Sequence, residues 1–361
     1  MALFRRAAIR WRVPHFIRPA LRLAVYSTSK KKACLLVLSV LTALVTVLFG
    51  GCARIQDLIL PTPNVPGEWN ALLAEVRTFE KRVGFTKETE NFKSVYQEQG
   101  SYTMCGYAPR FQLPYSYQDP LIRWADAATE EACRAGAGGD DMYFTTVEAV
   151  GEIGTAVTSS MLEGKLDRFL YLVIHEDCHD QFDLPYGIEE ALCNLIGYKG
   201  MAAFTTQKYG ALGREHLAIR RYVGMQSTLT RAVVDYYQQV EQLYAQHARK
   251  EITADAALQF RARIFTNAER TLGWNKSAMN NVGLANEMTY SRHYPLLERV
   301  YEAMDGDLAR TVAFFKSVDQ RKPTPAQLKK QLRINDEKSV EFVRAYEAAI
   351  VRTIESMLIR R

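Results

Sequence analysis

The sequence predicts an α+β fold that is mainly α-helical and includes a small β-sheet. After residue 160, apolar residues recur at helical spacing almost without interruption. Residues 96–117 are instead rich in Tyr, Gly and Pro, and residues 142–150 in β-branched and aromatic side chains, which favours short strands and turns. The chain beyond its N-terminal leader and tether, about 290 residues, suffices for one large domain or two small ones.

The first elements of the domain are a helix, a second helix and a strand. Residues 71–82 place their apolar side chains on one helical face and predict the first helix. Residues 121–135 are alanine-rich and predict the second helix. Residues 142–150 predict a strand, and the segment from Tyr143 to Val157 could pair with an extended peptide if it forms a sheet edge. The alternative is an ordinary core strand.

The second half of the chain predicts a series of helices. Residues 218–247 form a long amphipathic pattern, and residues 254–272 look like its returning partner. Residues 276–303 predict a helix or a helix pair interrupted near Pro295, and residues 306–318 predict another helix.

A C-terminal helical extension is predicted at residues 321–361. Pro323 and Pro325 mark its beginning, and an apolar face follows from Val340 to Met357. This face either packs on the domain or binds a partner helix.

The N-terminus predicts attachment to a membrane. Residues 1–32 form a basic leader with nine Lys or Arg and no acidic residue, and the next seventeen residues carry no charge. Residues 33–52 are therefore a predicted transmembrane or signal segment. The small residues before Cys52 resemble the end of a bacterial lipoprotein signal, in which this cysteine carries the lipid. Residues 53–69 contain three prolines and predict a tether.

Three interpretations of this N-terminus remain open: a lipoprotein signal, an uncleaved anchor and a mitochondrial presequence. The first two place the domain on the extracytoplasmic (periplasmic) side of the membrane, and the third at a mitochondrial membrane. The nine basic residues of the leader turn the net charge of +6 for the whole chain into −3 for the remainder. A mildly acidic domain lacks the basic footprint of a nucleic-acid-binding protein, so this class of partner is excluded.

The motif that carries chemistry is His-Glu-x-x-His at the end of the apolar run 171–179. On a helix, His175 and His179 lie one turn apart on the same face, where both imidazoles can bind one metal ion. Glu176 is next round the helix, where its carboxylate can take a proton from a bound water. The pattern is typical of zinc metallopeptidases, although it also arises by accident in some chains.

A catalytic zinc ion (Zn²⁺) needs a third protein ligand, and the next predicted helix offers two glutamates. Its aliphatic residues make one stripe, and Glu190, Asn194 and Gly197 lie on the opposite strip, which is polar and small enough to face the metal helix closely. This placement favours Glu190 as the ligand. Glu189 is not excluded by periodicity, and both could be solvated helix glutamates.

These residues together resemble a known family. His175-Glu-x-x-His179, followed eleven residues later by Glu190, is similar to the gluzincin pattern and most like the bacterial putative aminopeptidase family with its HELAHQ and NESFAT-like segments. The segment MNNVGL with Tyr290 is similar to the LNNAxL…Y segment of that family. The resemblance spans roughly residues 55–320 and implies a zincin-like metallopeptidase core, here assigned to residues 70–320.

The chain departs from this family pattern beside the ligands. Asp177 and Cys178 replace the Leu-Ala pair inside the metal motif, and Glu189 replaces the Asn that usually precedes the ligand. None of these changes removes a ligand or the base, but they add charge and a thiol next to the metal.

Tyr290 is the predicted donor to the carbonyl oxygen that gains negative charge during peptide hydrolysis. A packed core tyrosine is the alternative interpretation. Asn280 and Asn281 are predicted to cap or cross-link helices. His216, His247 and His293 are predicted surface residues, with His293 a second choice for a substrate contact.

The cysteines outside the membrane segment form two candidate pairs. Cys105 could pair with Cys133 in an oxidising compartment. Cys178 and Cys193 could approach each other across the two metal helices, where two buried free thiols are favoured over a disulfide or a thiolate ligand that replaces Glu190.

The predicted function is that of a membrane-tethered zinc metallopeptidase, an aminopeptidase if the resemblance holds, acting on a peptide or protein substrate. In this interpretation His175, His179 and Glu190 bind zinc. Glu176 is the general base, and Tyr290 stabilises the oxyanion. The alternative is a non-catalytic, metal-stabilised scaffold or interaction protein on the membrane surface.

Overall fold

A computed structural model describes residues 67–93, 101–148, 156–158, 161–162, 165–275 and 279–359. The predicted leader and membrane segment at residues 1–52, and most of the tether, lie outside these ranges. Among the described helices, none combines the length and the apolar character needed to cross a membrane.

The sheet has three antiparallel strands with β1 (Ser101–Ala108) in the centre, between β2 (Arg123–Ala125) and β3 (Asp141–Glu148). Cys105 pairs with Ala125 on one side and with Phe144 on the other. Among the described strands β3 is therefore at an edge of the sheet, as peptide pairing would require. Its role in holding a peptide stays a prediction, and residues 149–155 of the predicted peptide-pairing segment 143–157 lie outside the described part of the chain.

Two helices accompany the sheet: α1 (Gly67–Arg82) precedes it and α2 (Glu130–Ala135) lies between β2 and β3. The predicted helix at residues 121–135 is wrong in its first half, because residues 123–125 pair with β1 instead. The helical part begins only after Thr129, whose hydroxyl caps the Ala132 amide at 3.2 Å.

All the other described elements are helices, which confirms the mainly α-helical α+β prediction. The helices are α3 (Leu166–His179), α4 (Tyr186–Tyr209), α5 (Arg214–Ala248), α6 (Ala254–Leu272), α7 (Asn281–Ser291), α8 (Tyr294–Ala303), α9 (Leu308–Arg321), α10 (Pro325–Leu332) and α11 (Val340–Ile359).

The main hydrophobic core surrounds α3 and α4. Apolar side chains from α1, α5, α8, α9 and α11 pack against these two helices. In α11, Ile350 and Ile354 are fully buried, each a contribution of roughly 2–3 kcal/mol relative to exposure. The C-terminal helix therefore packs on the domain. A second cluster joins α5, α6 and α7.

A disulfide joins Cys105 of β1 to Cys133 of α2, with 5.8 Å between their Cα atoms. This pairing was one of those considered from the sequence. It links the central strand covalently to the short helix that precedes β3.

Candidate metal centre

Helix α3, which carries His175 and His179, and helix α4, which carries Glu190, approach each other along the predicted small and polar strip of α4. A Cβ on Gly197 would lie 3.4 Å from the Tyr171 ring, in van der Waals contact, so α3 and α4 lie close together here. The Tyr171 hydroxyl donates a hydrogen bond to Asn194 Oδ1. Glu190 lies one turn before Asn194 and so also faces α3, as the strip predicts.

His175, His179 and Glu190 place one ligand atom each at the corners of a small triangle. The two Nε2 atoms are 3.2 Å apart, and Glu190 Oε2 lies 3.3 Å from that of His175 and 3.4 Å from that of His179. The three residues are between 1% and 8% exposed, so the group is enclosed. The three atoms could hold one metal ion.

The donor set fits a zinc ion. Bonds of about 2.0–2.1 Å from a tetrahedral zinc to its ligands place neighbouring ligand atoms about 3.3–3.4 Å apart, which matches the triangle. Two imidazoles and a carboxylate are also a ligand set found in catalytic zinc sites, where a fourth position is left open. The geometry thus meets both the distance and the ligand requirements.

Glu189 contacts the other nitrogen of a ligand ring. Its Oε1 atom lies 2.8 Å from His179 Nδ1, and its Oε2 atom accepts a hydrogen bond from the Leu184 amide at 3.0 Å. A carboxylate in this position fixes the orientation of the ring and leaves Nε2 free to bind metal. Glu189 therefore contacts the far side of the His179 ring, and the carboxylate in the triangle is that of Glu190.

Charge in this cluster favours cation binding. Burial acts to lower the pKa of His179, but the charge of Glu190 and the hydrogen bond with Glu189 outweigh it and raise this pKa to about 10. Burial acts to raise the pKa of Glu190, yet the charge of His179 and the hydrogen bonds to both rings hold it well below its usual range. The metal-free cluster thus keeps a proton that a cation would displace.

We expect the substitution Glu189→Ala to weaken zinc binding by roughly 10–100-fold, because the His179 ring loses the group that orients it. Titration with a competing chelator measures this change. Glu215→Ala, at an exposed position in the first turn of α5, is the matched control and should leave the affinity unchanged. Equal affinities in both variants would contradict the assignment of Glu189.

Glu176 and Tyr290 are both buried near the triangle, with exposed fractions of 3% and 1%. The charge of Glu176 contributes to the raised pKa of His179. Asn194 donates through Nδ2 to the Tyr290 backbone oxygen at 3.1 Å, which ties α7 to the helix of Glu190. The pKa of Tyr186 is raised first by burial, and next by the electrostatic influence of Glu190 and of Tyr290. The structure thus groups Tyr290 with the residues around Glu190.

Comparison with family models decides the family. Residues 124–332, more than half of the chain, match the model of the putative aminopeptidase family. The chain belongs to this family. The match includes both metal helices and Tyr290. Neither a curated protein nor a solved structure matched the chain.

Asp177, a departure from the usual pattern of putative aminopeptidases, points away from the triangle. Its Oδ1 atom accepts hydrogen bonds from Thr89 at 2.9 Å and from Asn91 at 3.1 Å, and its Oδ2 atom lies 3.6 Å from Arg77 Nε. Asn91 also donates to the backbone oxygen of Glu176 at 3.1 Å. The added charge therefore anchors α1 and the segment after it to the outer face of the metal helix.

The substitution Asp177→Ala should lower the free energy of unfolding by roughly 2–4 kcal/mol, because it leaves Thr89, Asn91 and Arg77 without their shared acceptor. Urea denaturation of the metal-free protein measures the effect. Asp235→Ala removes an exposed carboxylate on α5 and is the control. If Asp177→Ala unfolds at the same urea concentration as the control, the anchoring role is wrong.

Cys178, the second departure, is disulfide-bonded to Cys193, with 5.6 Å between the Cα atoms. The prediction of two free thiols was therefore wrong. The two sulfurs meet because Cys178 and Cys193 lie on the facing sides of α3 and α4. This bond joins the helices that carry the three ligand atoms, and it keeps the sulfur of Cys178 out of the triangle.

Two histidines predicted at the surface have internal partners. His216 is 6% exposed and lies 3.1 Å from the hydroxyls of Thr205 and Thr206 through Nδ1. His293 is half-buried, and its Nε2 atom lies 2.8 Å from Glu347 Oε2. The polar residues around both histidines in the sequence suggested solvent exposure, but in the fold each ring contacts hydrogen-bond partners from another segment.

Proposed function

We propose that this protein is a zinc-dependent metallopeptidase of gluzincin type, with a zincin-like core, that hydrolyses peptide or protein substrates. The observation that carries the proposal is the triangle of His175, His179 and Glu190, whose 3.2–3.4 Å edges suit tetrahedral zinc. Membership of a family named for aminopeptidase activity supports peptide hydrolysis.

The surrounding residues have distinct roles in this proposal. Zinc in such a site supplies a Lewis acid that brings the pKa of water to about 7. Glu176, adjacent to a ligand in sequence and enclosed with it, accepts the proton of the attacking water. Tyr290 donates a hydrogen bond to the substrate carbonyl oxygen as negative charge develops there, which is worth roughly 3 kcal/mol. Asn194 holds the Tyr290 backbone beside the site.

The proposal also includes attachment to the extracytoplasmic side of a membrane. Residues 33–52, or a lipid on Cys52, would provide the tether. Two disulfides within the domain support an oxidising compartment, because such bonds persist mainly outside the cytosol.

The scaffold alternative is favoured by one observation. The three ligand residues, Glu176 and Tyr290 are each at most 8% exposed, so a substrate must displace neighbouring groups to reach them. Both functions require bound metal, and only hydrolysis separates them.

The decisive experiment is digestion of a peptide library by the purified full-length chain, with cleavage positions read by mass spectrometry. We expect cleavage that a zinc chelator abolishes and that added zinc restores, together with close to one zinc per chain. The positions cut distinguish an aminopeptidase from an endopeptidase. A metal-loaded chain that cuts no peptide would support the scaffold, and cleavage that survives complete removal of metal would contradict the zinc mechanism.

A further inference from the structure

A basic cavity of about 480 Å³ lies where the α7–α8 junction, α8 and α11 meet the loop before β2. Its lining includes four arginines and one histidine: Arg292, Arg299, Arg344, Arg352 and His293. We call this cavity the arginine pocket. It is a local concentration of positive charge on a domain that otherwise carries a small net negative charge.

The buried carboxylate of the pocket is already engaged by other groups. Glu347 is 2% exposed and accepts a hydrogen bond from the Tyr115 hydroxyl at 2.5 Å, with His293 Nε2 at 2.8 Å from the same oxygen. Burial acts to raise the pKa of Glu347, but its hydrogen bond with His293 and the charge of His293 hold the pKa below its usual value. Glu347 is thus engaged by Tyr115 and His293, and the charge of Arg292 also acts to lower its pKa. The second carboxylate, Glu355, is exposed.

The arginines keep most of their charge available. Within the described ranges, Arg299, Arg344 and Arg352 form no ion pair with a carboxylate, and all three are exposed. Two guanidinium groups are positioned in advance on one ring: those of Arg292 and Arg344 lie 3.7 and 4.6 Å from the centre of the Tyr115 ring. This arrangement holds two donors of fixed geometry at the mouth of one cavity.

Three chain segments connect the arginine pocket to the metal centre. In α4, a Cβ on Gly187 would lie 2.5 Å from Glu347 Oε1, and Glu190 follows one turn later. In the loop, Tyr115 lines the pocket, while two residues later the Tyr117 hydroxyl accepts a hydrogen bond from Tyr186 at 3.0 Å.

The third segment runs from α7 into α8. His293 lines the pocket, three residues after Tyr290. In α4 and at the α7–α8 junction, residues that line or touch the pocket are thus only about one helical turn along the chain, a rise of about 5 Å, from Glu190 and Tyr290. An extended peptide advances about 3.3–3.6 Å per residue, so two or three residues span this separation.

We propose that the arginine pocket is a specificity subsite that binds a carboxylate of the peptide substrate. Guanidinium groups recognise carboxylates through paired, charge-assisted hydrogen bonds, which matches the donors that Arg344 and Arg352 offer. The carboxylate is that of an acidic side chain or of the peptide C-terminus. Its role as a substrate subsite rests on the proposed peptidase function, whereas carboxylate binding itself does not.

The test measures binding without hydrolysis. The full-length chain carrying Glu176→Gln is titrated by calorimetry with four forms of one pentapeptide, Ala-Ala-Phe-Ala-Glu and its Gln analogue, each with a free or an amidated C-terminus. We expect at least one of the two carboxylates to tighten binding by about tenfold or more relative to the Gln amide. The Glu amide and the free-acid Gln peptide identify which carboxylate the pocket binds.

The double substitution Arg344→Gln/Arg352→Gln should abolish this preference while the affinity for the Gln amide is retained. Arg214→Gln/Arg220→Gln, two exposed arginines on α5, is the matched control and should keep the preference. Equal binding of all four peptides, no measurable binding of any, or a preference that survives in the pocket variant would each overturn the proposal.

The outcome is separable from that of the proposed function. A wild-type chain that cleaves a peptide library with no acidic preference retains the peptidase function and loses the subsite. A chain that shows the carboxylate preference in calorimetry but cleaves nothing retains the pocket and loses the peptidase.

Discussion

Glu176→Gln is expected to reduce peptide hydrolysis by roughly 10²–10⁴-fold while zinc remains bound at close to one ion per chain. The amide keeps the size and shape of the carboxylate but cannot accept a proton from water near neutral pH. The ligand triangle does not include Glu176, and the Glu176 backbone is held by Asn91, so the substitution leaves the metal ligands in place. Measurement of kcat/KM and of metal content on the same sample checks both halves of this prediction.

The matched control for this substitution is Glu215→Gln, which makes the same change at an exposed position and should keep full activity. Loss of activity in both variants would point to a general effect of charge. Full activity of Glu176→Gln would exclude this residue as the base, and loss of zinc from it would show that the residue supports the metal site instead.

The sequence predicts elements well where the decisive signals are local. Helix α6 has the predicted boundaries, residues 254–272, because Thr253 caps its start and Gly273, at φ 71°, ends it. The predicted helix at residues 121–135 fails for the opposite reason. Its first residues pair with β1, and a pairing between separate segments outweighs the helical preference of an alanine-rich stretch.

The candidate site shows the same difference between local signals and contacts that depend on packing. The four-residue spacing of His175 and His179 is sufficient to bring their rings together on one helix. The choice between Glu189 and Glu190 cannot be made in this way, because both lie near His179 and only about 100° apart round α4. The packing of α3 on α4 favours Glu190, because it places Glu189 beside Nδ1 and Glu190 beside Nε2 of the His179 ring.

Contacts between distant segments left no signal in the sequence. Glu347 meets His293 across 54 residues, and Asn91 meets Asp177 across 86. In each case a charged or polar group is buried and satisfied by a partner that only the docking of whole helices supplies. For this reason, His293 was predicted at the surface, and Asp177 was interpreted as extra charge beside the metal.

The ligand assignment predicts a clear order of effects for the two adjacent glutamates. Zinc binding in four-ligand sites is worth roughly 10–16 kcal/mol, or about 3–4 kcal/mol per ligand. Glu190→Ala should therefore weaken zinc binding on the order of 10²–10³-fold, and hydrolysis should fall with it. Glu189→Ala removes only the group that orients His179, so it should weaken zinc binding less, by roughly 10–100-fold.

Chelator titration of both variants in one buffer, with circular dichroism as a check on folding, measures this order. Glu190 is 1% exposed, and its charge helps to raise the pKa of His179. Folding must therefore be verified before the affinities are compared. Glu190→Gln serves as a second variant of nearly the same shape, since its neutral amide is a much weaker zinc ligand. If Glu189→Ala loses more affinity than both Glu190 variants, the third ligand is Glu189, and the triangle measured around Glu190 is not the metal site.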